Sequence, residues 1–94
     1  MQPIPPVNTK TNHAIGNRTA IATDVLSGEV NLGAYPHRYL VLVAYRHIGG
    51  MPSLLAAVEW LEAQSWELVN LYPDDNSHRA VVRRRPAPTP PVQR

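Results

Sequence analysis

The chain has 94 residues, with 9 Lys and Arg against 7 Asp and Glu for a formal net charge of +2, four His, ten Pro and no Cys. The missing cysteine excludes disulfides, thiolate metal sites and thiol nucleophiles, and the length allows one domain. Prolines gather at both ends (Pro3, Pro5 and Pro6; Pro86, Pro88, Pro90 and Pro91), leaving roughly fifty to seventy residues to fold, a size that buries only about 60% of the surface its unfolded chain exposes. The opening residues lack the apolar run of an export signal. The longest apolar run, Tyr39 to Tyr45, is far short of a membrane helix. The expectation is a cytoplasmic protein with no membrane contact. Charge is unevenly spread: from Ser77 onward there are five arginines and no acid, while Glu59, Glu62 and Glu67 cluster before them.

Residues 1–13 are polar and proline-dotted, without helical or strand period, and read as a disordered arm. Residues 14–34 read as an N-terminal hairpin: Ile21, Thr23 and Val25 alternate toward Ser27-Gly28, and Val30 and Leu32 alternate after it. A turn of helix over Ala20 to Leu26 is the alternative, since short apolar runs do not separate the two states. Arg38 to His47 is the clearest strand, with Tyr39, Val41, Val43 and Tyr45 on one side and Leu40, Leu42 and Ala44 on the other. Because both sides are apolar, one needs a helix and the other needs some further cover, either the segment Thr19 to Leu32 folded over it or a second copy of the chain.

Gly49-Gly50 ends that strand, and Pro52-Ser53 opens a helix in which Leu54, Val58 and Leu61 form a stripe flanked by Leu55 and Ala57. Trp60 lies beside the stripe, as a core-edge residue or as an exposed contact. Trp66 to Tyr72 reads as a second strand, Pro73 to Ser77 as its turn and His78 to Arg85 as a third strand, antiparallel to its neighbour. The helical crossover leaves the first two strands parallel. The predicted class is α+β: a small sheet of three or more strands in the order strand, helix, strand, strand, with one helix packed on one face. Its core domain spans residues 35–85, and residues 86–94 read as a Pro-rich disordered tail.

A Tyr- and Val-rich first strand, a helix with Leu54-Leu55 and Trp60-Leu61, the strand Trp66-Glu67-Leu68-Val69 and a last strand Ala80 to Arg84 ending in basic residues together resemble the small bacterial and phage proteins grouped as domain-of-unknown-function family 4177. The resemblance covers residues 39–85 and implies a compact αβ module, with no established activity and no functional residue to carry over. Members usually have Gly before the Trp. Here Ser65 stands instead, at a helix end where Gly takes the left-handed conformation that Ser adopts at some cost.

No catalytic or metal constellation stands out, no cofactor is implied, and a non-enzymatic role is expected. His13, His37, His47 and His78 have no ligand spacing, Asp74-Asp75 suits a polar turn, and Gly49-Gly50 lacks the longer phosphate-cradling pattern. His47, His78 and Asp75 would have to converge to suggest catalysis. The Arg-x-x-Pro-x-x-Pro spacing from Arg85 to Pro91 matches segments that aromatic grooves recognise, but such matches are common by chance in Pro-rich tails and a disordered solubilising terminus is the better account. Two readings remain. In the first, the chain is an interaction module that self-associates through Tyr39, Val41, Val43, Tyr45 and Trp60, and a further protein partner is the extension of that reading. In the second, Arg79, Arg83, Arg84 and Arg85 contact nucleic acid or another anion; the simpler account is that they keep a strand edge soluble.

Overall fold

The computed structural model describes residues 9–86. Its elements run α1 (Thr9–Asn17), β1 (Thr19–Ile21), α2 (Ala22–Leu26), β2 (Tyr39–Tyr45), α3 (Gly50–Glu62), β3 (Trp66–Asp74) and β4 (Ser77–Arg84). The class is α+β: a four-stranded mixed sheet in the order β1-β2-β4-β3, with helices on one face.

The β2-α3-β3 crossover leaves β2 and β3 parallel to one another, but they are not neighbours. Strand β4 lies between them and is antiparallel to both. The central place goes to β4 because Ala80 and Val82 sit fully buried beneath the helices. Strand β3 has the marks of an edge: Pro73, which cannot donate to a ladder, and a bulge in which Val69 has no partner, since Leu68 faces Val82 and Asn70 faces Val81.

Leu40, Leu42 and Ala44 of β2 turn to the helix side, where they meet Leu54, Ala57, Val58 and Leu61 of α3. The predicted stripe is therefore the packed stripe, and Leu55, expected beside it, is 44% exposed. Gly49 starts this helix with φ +81°, and a Cβ there would lie 2.0 Å from Ser53 Oγ, so no other residue fits without displacing that side chain. At the far end Ser65 adopts φ +70°, the left-handed turn that glycine takes more cheaply.

The N-terminal third departs from the sequence reading. The hairpin over 14–34 does not form: β1 is three residues long and pairs in parallel with β2 (Thr19 with Val41, Ile21 with Val43), and α2 follows it at once. The helical alternative over Ala20–Leu26 is nearer to what is found. Val25, Val30, Leu32 and Tyr35 then complete the core beside α3, so the core domain begins before residue 35. Nor is all of 1–13 an arm, because Thr9 to His13 belong to α1; residues 1–8 lie outside the described residues, as does the tail from 87 onward. Contacts distant in sequence hold α1. Thr11 Oγ1 accepts a bond from the Asn31 N–H at 2.8 Å, Ala14 is buried, and Lys10 bridges Asp24 (3.1 Å) and Glu29.

Candidate functional site: the open face of the sheet

Strand pairing sorts side chains strictly by face, since residues directly opposite each other point the same way. On the side away from the helices, one row across the sheet is Tyr39, Arg83 and Glu67. The next is Thr19, Val41, Val81 and Asn70, and the third is Ile21, Val43, Arg79 and Tyr72. Tyr45, Ser77 and Asp74 close the face at the hairpin end.

No element among the described residues covers this face, because the buried residues of all three helices belong to the cluster on the other side. Tyr39 is 44% exposed, whereas Ile21, Val41, Val81, Tyr45 and Tyr72 are half-buried. Val43 is the exception at 1% exposure. It lies at the middle of the face, with Ile21 and Arg79 beside it in its row and Val41 and Tyr45 along its strand, so its burial comes from neighbouring side chains.

Charged pairs flank the apolar centre. Arg83 donates through Nε to Glu67, and Arg79 meets Asp74 at 3.1 Å. The hydrogen bond from Arg83 holds the Glu67 carboxyl below the usual carboxylate range, while Glu67, and after it the Tyr39 hydroxyl, raise Arg83. Arg38 lies 5.8 Å over the Tyr39 ring, giving that end of the face an amphipathic aromatic edge.

The structure brings Tyr39, Val41, Val43 and Tyr45 together as expected and separates Trp60 from them. Trp60 is on α3, across the sheet, and is 41% exposed, which makes it a contact-type surface residue instead of a core edge. The four arginines do not form one patch either. Arg79 and Arg83 share the open face, each with an acid. Arg84 points to the helix side, where its guanidinium lies 4.9 Å over the Trp66 ring and donates to the Leu32 carbonyl at 2.7 Å, pinning the loop before β2. Arg85 is exposed at the end of the strand, its N–H donating to the Ser65 carbonyl.

Ile21, Tyr72 and Val81 also belong to the face, and the sequence reading missed them. Val81 was recoverable from its parity with Arg79 and Arg83 once β4 was paired with β2. Ile21 was not, because a three-residue strand has too little pattern to read.

His47 and Asp75 are exposed, His78 is half-buried opposite Ala44, and among the described residues no three His, Cys, Asp or Glu gather as a metal would require. No helix among the described residues is long and apolar enough to cross a membrane.

Two hollows lie elsewhere on the surface of the described residues. One, of about 350 Å³, lies between α1 and β1. The other, of about 510 Å³, is on the helix side between Trp60, Gln64, Trp66, Arg84 and the loop from Gly28 to Gly33. No family model matches this chain, and no curated protein or solved structure matches it.

Proposed function

We propose that this chain is a small non-enzymatic assembly module that self-associates through the open face of its sheet. The observation that carries this reading is the composition and position of that face: Tyr39, Val41, Val43, Tyr45, Val81 and Ile21 side by side on a sheet whose other side already holds the core. An apolar centre rimmed by charge is the usual anatomy of a protein interface. Each copy carries both signs at that rim, in the Arg83–Glu67 and Arg79–Asp74 pairs, so two copies related by a twofold axis could exchange these partners without leaving a charge unmatched. Trp60, separated by the sheet, is not part of the interface.

The same pairs count against nucleic acid as the main partner, because counterion release depends on arginines that are not already neutralised by neighbouring carboxylates. A cytoplasmic setting in a bacterium or phage, and membership of family 4177, belong to this proposal as its biological frame.

Light scattering at micromolar concentration tests it. The expected mass is that of a dimer or a larger assembly, and Val41→Asp, which places a charge at the centre of the face, returns it to that of one chain while the far-ultraviolet circular dichroism is kept. A single-chain mass for the unmodified protein at every concentration overturns the reading. Binding to DNA or RNA that weakens steeply with salt and disappears when Arg83, Arg84 and Arg85 are all changed to Ala would favour the other partner class.

A further inference from the structure

The open face has two unlike ends. Where β2 and β3 begin and β4 finishes lie Arg38, Arg83, Arg85 and Glu67. The Arg84 N–H donates to the Arg38 carbonyl at 2.8 Å and the Arg85 N–H to the Ser65 carbonyl at 2.7 Å, which extends the strand pairing and fixes Arg38 and Arg85 at this end. The charges of Arg83, Arg85 and Arg38 all act on the Glu67 carboxyl. Of the three, Arg83 is bonded to it, whereas Arg38 and Arg85 are exposed and have no carboxylate partner among the described residues. Three arginines against one carboxylate leave a surplus of two positive charges. Glu59 and Glu62 do not offset it on this face, because they are exposed on α3, in the layer on the other side of the sheet.

The hairpin end is balanced. Arg79 is paired with Asp74 and Arg46 donates to the Asp74 carbonyl, while Asp75 is exposed and has no cationic partner among the described residues. Two arginines therefore stand against two carboxylates.

Sheets that pack in the aligned manner keep their strands within about 30° of one another, so two open faces can meet with like ends together or with opposite ends together. Like ends together sets the surplus of one copy against that of the other, and like charges juxtaposed across an interface weigh against association. Opposite ends together sets the row Tyr39, Arg83, Glu67 over the row Tyr45, Ser77, Asp74 of the second copy, and the row of Val41 and Val81 over that of Ile21 and Val43. Aromatic then meets aromatic, apolar meets apolar, and Arg38 and Arg85 come to the carboxylates of the second hairpin.

We propose that Arg38 and Arg85 set the orientation of the pair: two copies stack open face to open face with opposite ends together, the basic end of one at the hairpin of the other. This inference rests on the assembly reading above and deepens it by naming the residues that choose between two arrangements of the same apolar contact.

The distance between the two hairpins of a pair tests it. The chain has no Cys, so a nitroxide label attached at Asn76→Cys, an exposed turn position, marks the hairpin alone. Strand β4 has 8 residues and spans about 26 Å, so with opposite ends together the two labels lie more than about 25 Å apart in pulsed dipolar spectra. Arg38→Gln with Arg85→Gln, at two exposed positions, removes the surplus; the mass of the assembly is expected to persist while a population closer than one strand length appears. Such a population in the labelled chain with both arginines intact overturns the orientation and leaves the assembly reading standing, as does a distribution that the double substitution leaves unaltered. A single-chain mass at every concentration overturns both.

Discussion

The two faces of β2 are almost equally apolar in sequence, yet they do different work. Leu40, Leu42 and Ala44 are 0 to 1% exposed and lie under α3 and the loop before β2. Tyr39, Val41 and Tyr45 remain partly in solvent, and Val43 is covered only by its neighbours in the sheet. A hydrophobic side chain therefore reports that a strand has two faces to cover. Which face becomes core is decided by where helices reach. The inner side holds the monomer together, and the outer side is where a second copy is proposed to bind.

Substitutions at matched positions sharpen that contrast most. Leu42→Ala, on the inner face, is expected to cost about 2–5 kcal/mol in urea unfolding, whereas Val41→Ala, next to it in the chain and half-buried, costs roughly 1 kcal/mol or less and acts chiefly on the mass in solution. Equal losses of stability at the two positions would mean that the outer face is as much core as the inner.

The next effect in size separates the faces by pH. Tyr35, buried on the helix side, donates its hydroxyl to the Tyr39 carbonyl at 2.7 Å, and burial pushes its pKa up against the opposing influence of Arg18 and Arg84. Its contribution is complete below about pH 10 and is lost as pH rises through the raised value. Glu67, on the open face, has its pKa lowered, so its contribution is present above about pH 4.3 and is lost as pH falls through the lowered value. Tyr35→Phe is expected to cost about 0.5–1.5 kcal/mol at neutral pH and to flatten the alkaline limb of the stability profile while leaving the acid limb intact. An unchanged alkaline limb would show that Tyr35 titrates alike in the folded and unfolded states.

The smallest effect is a control that touches neither face. Ser65→Gly relieves the φ of +70° at the turn between α3 and β3 and is expected to raise stability by roughly 0.5–1 kcal/mol, after the greater entropy of unfolded glycine offsets part of the relief. The mass in solution should not move. A change in association with this variant would couple the turn to the interface and break the separation of the two sides.

What was legible in the chain follows the length of its periodic segments. Strand β2 shows as an apolar run, α3 as a stripe of Leu54, Val58 and Leu61, and the hairpin β3-β4 as two strands around polar turn residues, each with enough repeats to set a period. Residues 9–26 were misread for the opposite reason. Helix α1 is a polar stretch held by Thr11, Ala14 and Lys10 through contacts with Asn31, the core, Asp24 and Glu29, and β1 exists only as a three-residue addition to β2. Of the candidate site, Tyr39, Val41, Val43 and Tyr45 could be placed on one face from alternation alone. Ile21, Tyr72 and Val81 needed the strand order, and the misplacement of Trp60 came from treating apolar residues on different elements as one surface.

By itself, then, the sequence determined the α+β class, the pairing of β3 with β4 and the helix stripe, because each depends on residues close together in the chain. Only the tertiary structure decided that β4 sits at the centre of the sheet, that the segment before β2 joins the core instead of covering the open face, and that the arginines divide between acids on one side and Trp66 on the other. Those outcomes depend on which distant surfaces meet, and no local pattern encodes that.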